Sequence, residues 1–176
     1  MHSEEYYKKL RKKYTPELCR LIFIFESPPA SGKYFYDDEG SVNEPLFKIM
    51  MKCFCPFIPV AKENGLKEFK RLGFLIVDAV YKAVDKMSEK QKKEIILKTY
   101  PRLEKDLKKI IGKNHTKIVI VGTDLRKILE SKLEKIFYVI NDGENVPFPL
   151  YGHGDEFTEK IRHLSNWHNV NLKIFC

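Results

Sequence analysis

The chain has 176 residues, 43% of them hydrophobic and 32% charged, and carries a net charge of +8. That length and apolar fraction suit one compact domain and exclude a disordered chain, and no apolar run reaches the roughly 20 residues needed to cross a bilayer. The expectation is a single soluble, monomeric domain over residues 1–176 with no membrane partner. Cytoplasmic residence follows because the opening MHSEEYYKKLRKKY is charged where a secretory signal is apolar.

In chain order, Glu4 to Tyr14 is patterned as a short helix and Arg20 to Glu26, containing LIFIF, as a strand. A loop rich in proline and aromatics, ESPPASGKYFYDDEGSVN, leads to a helix over Pro45 to Lys52 and another over Lys62 to Leu72. The second strand covers Gly73 to Val80. A long Lys/Glu-rich helical stretch runs from Ser88 to Gly112, where Pro101 predicts a kink or a division into two helices. Lys117 to Gly122 is the third strand, Asp124 to Lys132 a helix, and Lys135 to Ile140 the fourth strand. The loop NDGENVPFPLYGHGD then precedes a helix over Asp155 to Trp167 and a fifth strand over Val170 to Phe175.

Strands alternating with helices predict an α/β fold, a three-layer α/β/α sandwich around a central parallel sheet. LIFIF, FLIV and KIVIV are continuous apolar runs, as strands covered on both faces require. In such sheets, function sits outside the carboxyl ends of the strands. The loops after the first and fourth strands are therefore expected to meet across one cleft.

Several chemistries are excluded by spacing. Ser31-Gly32-Lys33 invites a phosphate-loop reading, but Ser27 stands at the first glycine position of that motif and Tyr34 at its hydroxyl position. Pro28 and Pro29 also lack the amides that a phosphate nest needs. Val121-Gly122-Thr123-Asp124 carries one glycine, too few for a dinucleotide fingerprint, and reads as a strand end with a helix cap. Cys19, Cys53, Cys55 and Cys176 have no zinc-type spacing and are expected to be plain thiols; Cys53-Phe54-Cys55 has a spacing found in some metal sites, and strand alternation or a loop explains it equally well.

The surplus of cations favours a polyanionic partner, since neutralising phosphates releases condensed counterions. Of the 32 cations, 26 are lysines, many interleaved with glutamate on what reads as a solvated helix face. The first loop sets a carboxylate, Glu26, next to a stiff diproline and follows it with Tyr34, Phe35 and Tyr36. Flat rings can stack a nucleobase and a fixed carboxylate can orient water or stabilise a cation. The same residues fit a strand-end carboxylate with aromatics packed into the core.

The order of these elements, together with three local motifs, resembles the uracil-DNA glycosylase superfamily. F-E-S-P-P at Phe25 to Pro29 is similar to that family's first motif, G-E-A-P-G in one branch and G-x-N-P-G in others, with Glu26 on the acidic position. YFYDDEGSVNEPLF, Tyr34 to Phe47, resembles the Y-Y-x-x-P-x-N-x-F-W segment of the mismatch-specific and hypoxanthine-directed branches. VPFPLYGHGDEFTEKI, Val146 to Ile161, resembles their last loop and helix. Phe25 and Pro29 stand where the family has glycines, and His153 arrives a few residues beyond the histidine of the H-P-S form.

The resemblance implies a DNA glycosylase that hydrolyses the N-glycosidic bond of a damaged or deaminated base on single- or double-stranded DNA, needing neither metal nor cofactor. Glu26 would orient water and stabilise the cationic sugar, with Asp78, at the end of the second strand, as a second catalytic carboxylate projecting into the same cleft. Ser27, Tyr34, Phe35, Tyr36, Asn43 and Phe47 would bind the base. Pro147, Phe148, Pro149, Tyr151 and His153 would form the loop serving the leaving group and the DNA. Two further readings remain open: a non-catalytic nucleic-acid or nucleotide-binding protein of this fold, and a small-molecule transferase.

Overall fold

The computed structural model describes residues 2–54 and 59–165. The elements run α1 (Glu4–Lys13), β1 (Leu21–Phe25), α2 (Pro45–Phe54), α3 (Lys62–Arg71), β2 (Phe74–Asp78), α4 (Glu89–Ile111), β3 (Lys117–Ile120), α5 (Thr123–Leu133), β4 (Tyr138–Val139) and α6 (Gly154–Ser165). The expected strand over Val170 to Phe175, the end of the last helix at Trp167, and Cys55 and Cys176 lie outside the described residues.

The four strands form one parallel sheet in the order β2-β1-β3-β4. β1 and β2 bury every residue, as continuous apolar strands covered on both faces must. The crossover from β1 to β2 steps one way across the sheet, whereas those from β2 to β3 and from β3 to β4 step the other way. Right-handed crossovers therefore set α2 and α3 on one face and α4 and α5 on the other. Ring packing agrees, since Phe23 meets Phe54 of α2, Phe69 of α3 and Phe157 of α6. The fold is α/β with helices on both sides of a parallel sheet.

Local chemistry sets the ends of the elements. Ser88 opens α4 in a capping box with Gln91. Gly73 takes φ +80° between α3 and β2, and a Cβ there would stand 2.9 Å from the Leu18 carbonyl oxygen. Its own carbonyl accepts the Arg20 and Leu21 amides at 2.7 and 3.2 Å, pinning the start of β1 to the start of β2. Pro101 does not divide the long helix in two. It removes one N–H, while Ile96, Leu103, Leu107 and Ile111 continue one buried stripe across it.

Both ends of the sheet are completed by side chains. β4 is shorter than the expected Lys135 to Ile140 because Phe137 closes α5, donating its amide to the Leu133 carbonyl at 2.8 Å. The fully buried Asn141 then imitates a strand: its Oδ1 accepts the Ile120 amide at 2.7 Å and its Nδ2 donates to the Ile120 carbonyl at 3.0 Å. β2 is the other end strand, and the Tyr36 hydroxyl accepts the Ile76 amide at 2.6 Å and reaches the Ile76 carbonyl at 3.3 Å. Tyr36→Phe is therefore expected to cost about 2 kcal/mol, the usual penalty for orphaning a buried backbone donor. Urea unfolding of both proteins measures it, and equal midpoints would show that the edge is satisfied by other means.

Candidate functional site

The divergence of the crossovers makes the gap between the carboxyl ends of β1 and β3 a topological switch point, the place where parallel sheets open a crevice. Glu26 is the residue immediately after β1 and so flanks that point. After β3, Val121 bridges to Val146, and Gly122 donates its amide to the Val146 carbonyl at 2.8 Å. This pairing brings the late proline loop to the same end of the sheet, where Phe148 sits edge-on to Phe25 with ring centroids 5.6 Å apart. The late loop thus reaches the carboxyl end of β1, from which the first loop departs.

Glu26 is half-buried, with 30% of its side chain exposed, and Lys92 of α4 holds its ammonium 3.7 Å from Oε1. The same ammonium lies 3.1 Å from Glu89. Burial raises the Glu26 carboxyl above the ordinary carboxylate range, with Lys92 opposing the shift. The loop beyond the prolines is tied down by Asp85, whose carboxylate accepts the Ala30 amide at 2.9 Å. Ser27 lies half-buried beside Glu26. The result is a desolvated, partly reachable carboxyl on a constrained loop.

Asp78 ends β2 as expected, but it does not project into the crevice. It pairs in register with Phe25, so the two share a face of the sheet. Only 3% of Asp78 is exposed. Its carboxylate accepts the Tyr34 hydroxyl at 3.1 Å and feels the Arg11 guanidinium, which donates to the Tyr81 hydroxyl and stands 3.7 Å from Asp106. Burial dominates, and the Asp78 carboxyl is pushed up to about 7.

Burial encloses four of the six residues expected to bind the base. Tyr34, Phe35, Tyr36 and Phe47 are all core residues, and Tyr34 also packs edge-on against Tyr7 of α1. The Lys62 ammonium fixes this segment from behind, donating to the Tyr34 carbonyl at 2.8 Å and to Glu44 at 2.6 Å. Asn43 is exposed in the turn before α2, its amide bonded to the Ser41 hydroxyl. In the late loop Pro149 is buried, Pro147 half-buried, and Phe148 and Tyr151 offer exposed rings. His153 faces Glu156 at 3.1 Å on the first turn of α6.

Three contributors escaped sequence reasoning: Lys92 beside Glu26, Arg11 beside Asp78, and Lys62 behind the aromatics. Each meets its partner only through tertiary packing, with no local motif to mark it. Among the described residues no three His, Cys, Asp or Glu side chains are grouped to hold a metal, and no helix is long and apolar enough to cross a membrane. Cys19 and Cys53 are both buried. Comparison of the chain with protein families, curated proteins and solved structures finds no match.

Proposed function

We propose that this chain is a DNA glycosylase of the uracil-DNA glycosylase type, hydrolysing the N-glycosidic bond of a damaged or deaminated base. The observation that carries the reading is Glu26: a desolvated, partly exposed carboxyl beside the switch point of the sheet. In this reading the target nucleotide is extruded from the stack, a few kcal/mol being spent on unstacking. The departing base takes the bonding electrons and the sugar becomes cation-like. The Glu26 carboxylate faces that cation and accepts a proton from the attacking water. Asp78, enclosed beside Tyr34, does not touch the sugar in this reading.

One observation favours a second reading, a non-catalytic nucleic-acid-binding protein of the same fold. Lys92 already engages Glu26, and the rings expected to receive a base are packed in the core. Two measurements separate the readings. DNA affinity is expected to fall roughly tenfold or more between low and physiological salt, because a chain of charge +8 binds through phosphate contacts. Affinity that ignores salt would sink both readings and favour a small-molecule enzyme. Base release from duplexes carrying uracil, hypoxanthine, xanthine or a mismatch then decides for the glycosylase, and binding without release decides for the second reading.

A further inference from the structure

On the Phe23 side of the sheet, α2, the start of α6 and the 149–152 turn enclose an open cleft of about 550 Å³. Its floor is apolar, built from Ile49, Pro149 and Leu150, and its rim carries Lys52 on α2, Arg162 on α6 and the ring of Tyr151. Tyr151 is the most unusual of these. It holds φ +58°, a left-handed conformation that costs any residue with a Cβ, and yet its side chain is 91% exposed. Strain of that kind ordinarily repays itself in packing or in function, and this ring packs into nothing.

Two cations line the same cleft, Lys52 exposed and Arg162 half-buried. Lys52 has 74% of its side chain exposed, and its nearest carboxylate, the fully exposed Asp155, is 3.9 Å away, a pair that solvent screens. Arg162 lines the opposite wall and makes no ion pair among the described residues. A ligand that matches the cleft needs a flat apolar body for the floor and ring, and anionic groups for two separated cations. An apolar peptide or acyl chain leaves the cations unused, and a simple anion leaves the ring and floor unused. A nucleobase flanked by phosphates uses all of them.

We infer that this cleft binds a segment of single-stranded nucleic acid, with one base lying on Tyr151 and the Ile49–Leu150 floor and its flanking phosphates on Lys52 and Arg162. The inference rests on the nucleic-acid partner of the proposed function but not on base release. In a glycosylase it would hold the strand running away from the switch point; in a binding protein it would be the site itself.

The test is fluorescence anisotropy with a short, undamaged, labelled single-stranded oligonucleotide on the full chain. Tyr151→Ala is expected to weaken binding roughly tenfold, the worth of one base stacked on a ring, with the salt dependence unchanged. Tyr151→Phe is expected to bind like the parent. Lys52→Glu with Arg162→Glu is expected to weaken binding further and to flatten the log affinity against log salt slope by about 1.4, two phosphates on a single strand. Tyr138→Ala, another exposed ring at β4, serves as the control and is expected to change nothing. All four residues are exposed or line the cleft, and unchanged unfolding midpoints confirm that the variants fold.

Parental affinity in both cleft variants, or an equal loss in Tyr138→Ala, overturns the inference. So does competition by a nucleoside monophosphate at the concentration at which the oligonucleotide itself competes, which would make the ligand a free nucleotide. If the chain binds the strand through these residues and releases no base, the cleft stands and the glycosylase reading falls. If base is released while the cleft variants keep parental affinity, only the cleft falls.

Discussion

Asp78→Asn is expected to make the protein markedly more stable above neutral pH and to change it little near pH 4. In the folded chain Asp78 keeps its proton up to about pH 7, whereas an exposed aspartate releases it near 4. Across that window the folded state binds the extra proton, so stability from this site falls as pH rises and stays low above the folded value. Three units at about 1.4 kcal/mol each amount to a cost on the order of 4 kcal/mol. Asparagine keeps the shape and still accepts the Tyr34 hydroxyl, without a charge to bury. For a domain of this size the gain corresponds to roughly 10 °C in midpoint at pH 8. Thermal unfolding of both proteins from about pH 5 to about pH 8 measures it, and parallel curves would mean that Asp78 carries no such burden.

A carboxyl held at that cost, with one hydroxyl donor and a guanidinium that is mainly engaged elsewhere, is a poor structural element. An amide would serve the fold better. The comparison therefore also tests function. If Asp78→Asn is more stable and equally active, the residue has no chemical part; if it is more stable and slower, its charge is retained for function.

The sheet was legible because three of its strands are buried on both faces, which leaves unbroken runs such as LIFIF and FLIV in the sequence. The fourth was only partly legible. Ile136 and Phe137 look like strand residues but serve to end α5, and the pairing is carried on by the amide of Asn141, which no propensity marks. Glu26 could be placed from the crevice rule alone. The aromatics after it could not, because Tyr34, Phe35 and Tyr36 fit a pocket wall or a core equally well until the position of β2 is known. As an end strand β2 needs its free edge covered, and these rings cover it. The partners of the two carboxylates, Lys92 and Arg11, come from α4 and α1, far away in sequence, and only packing brings them in.

Glu26→Gln is expected to lower the rate of base release by at least roughly 100-fold, the usual effect of removing one electrostatic or general-base group. The amide keeps the size of the side chain and its place after β1, so the loop tied to Asp85 stays as it is. What is lost is the negative charge facing a sugar that turns cationic only in the transition state. DNA affinity is accordingly expected to change little, and the effect to fall on the chemical step. The pH profile gives a second readout. Burial raises the Glu26 carboxyl, so the active, ionised form is lost as pH falls through a value above the ordinary carboxylate range, and the acidic limb of the profile should disappear in the variant. Lys92→Met removes the cation that opposes this shift and should move the limb to still higher pH. Single-turnover release and DNA affinity on the parent, Glu26→Gln, Lys92→Met and Asp78→Asn decide the assignment. Parental rates in Glu26→Gln together with an inactive Asp78→Asn would transfer the catalytic role to the buried carboxyl, and would require Tyr34 and α1 to move aside before a base could reach it.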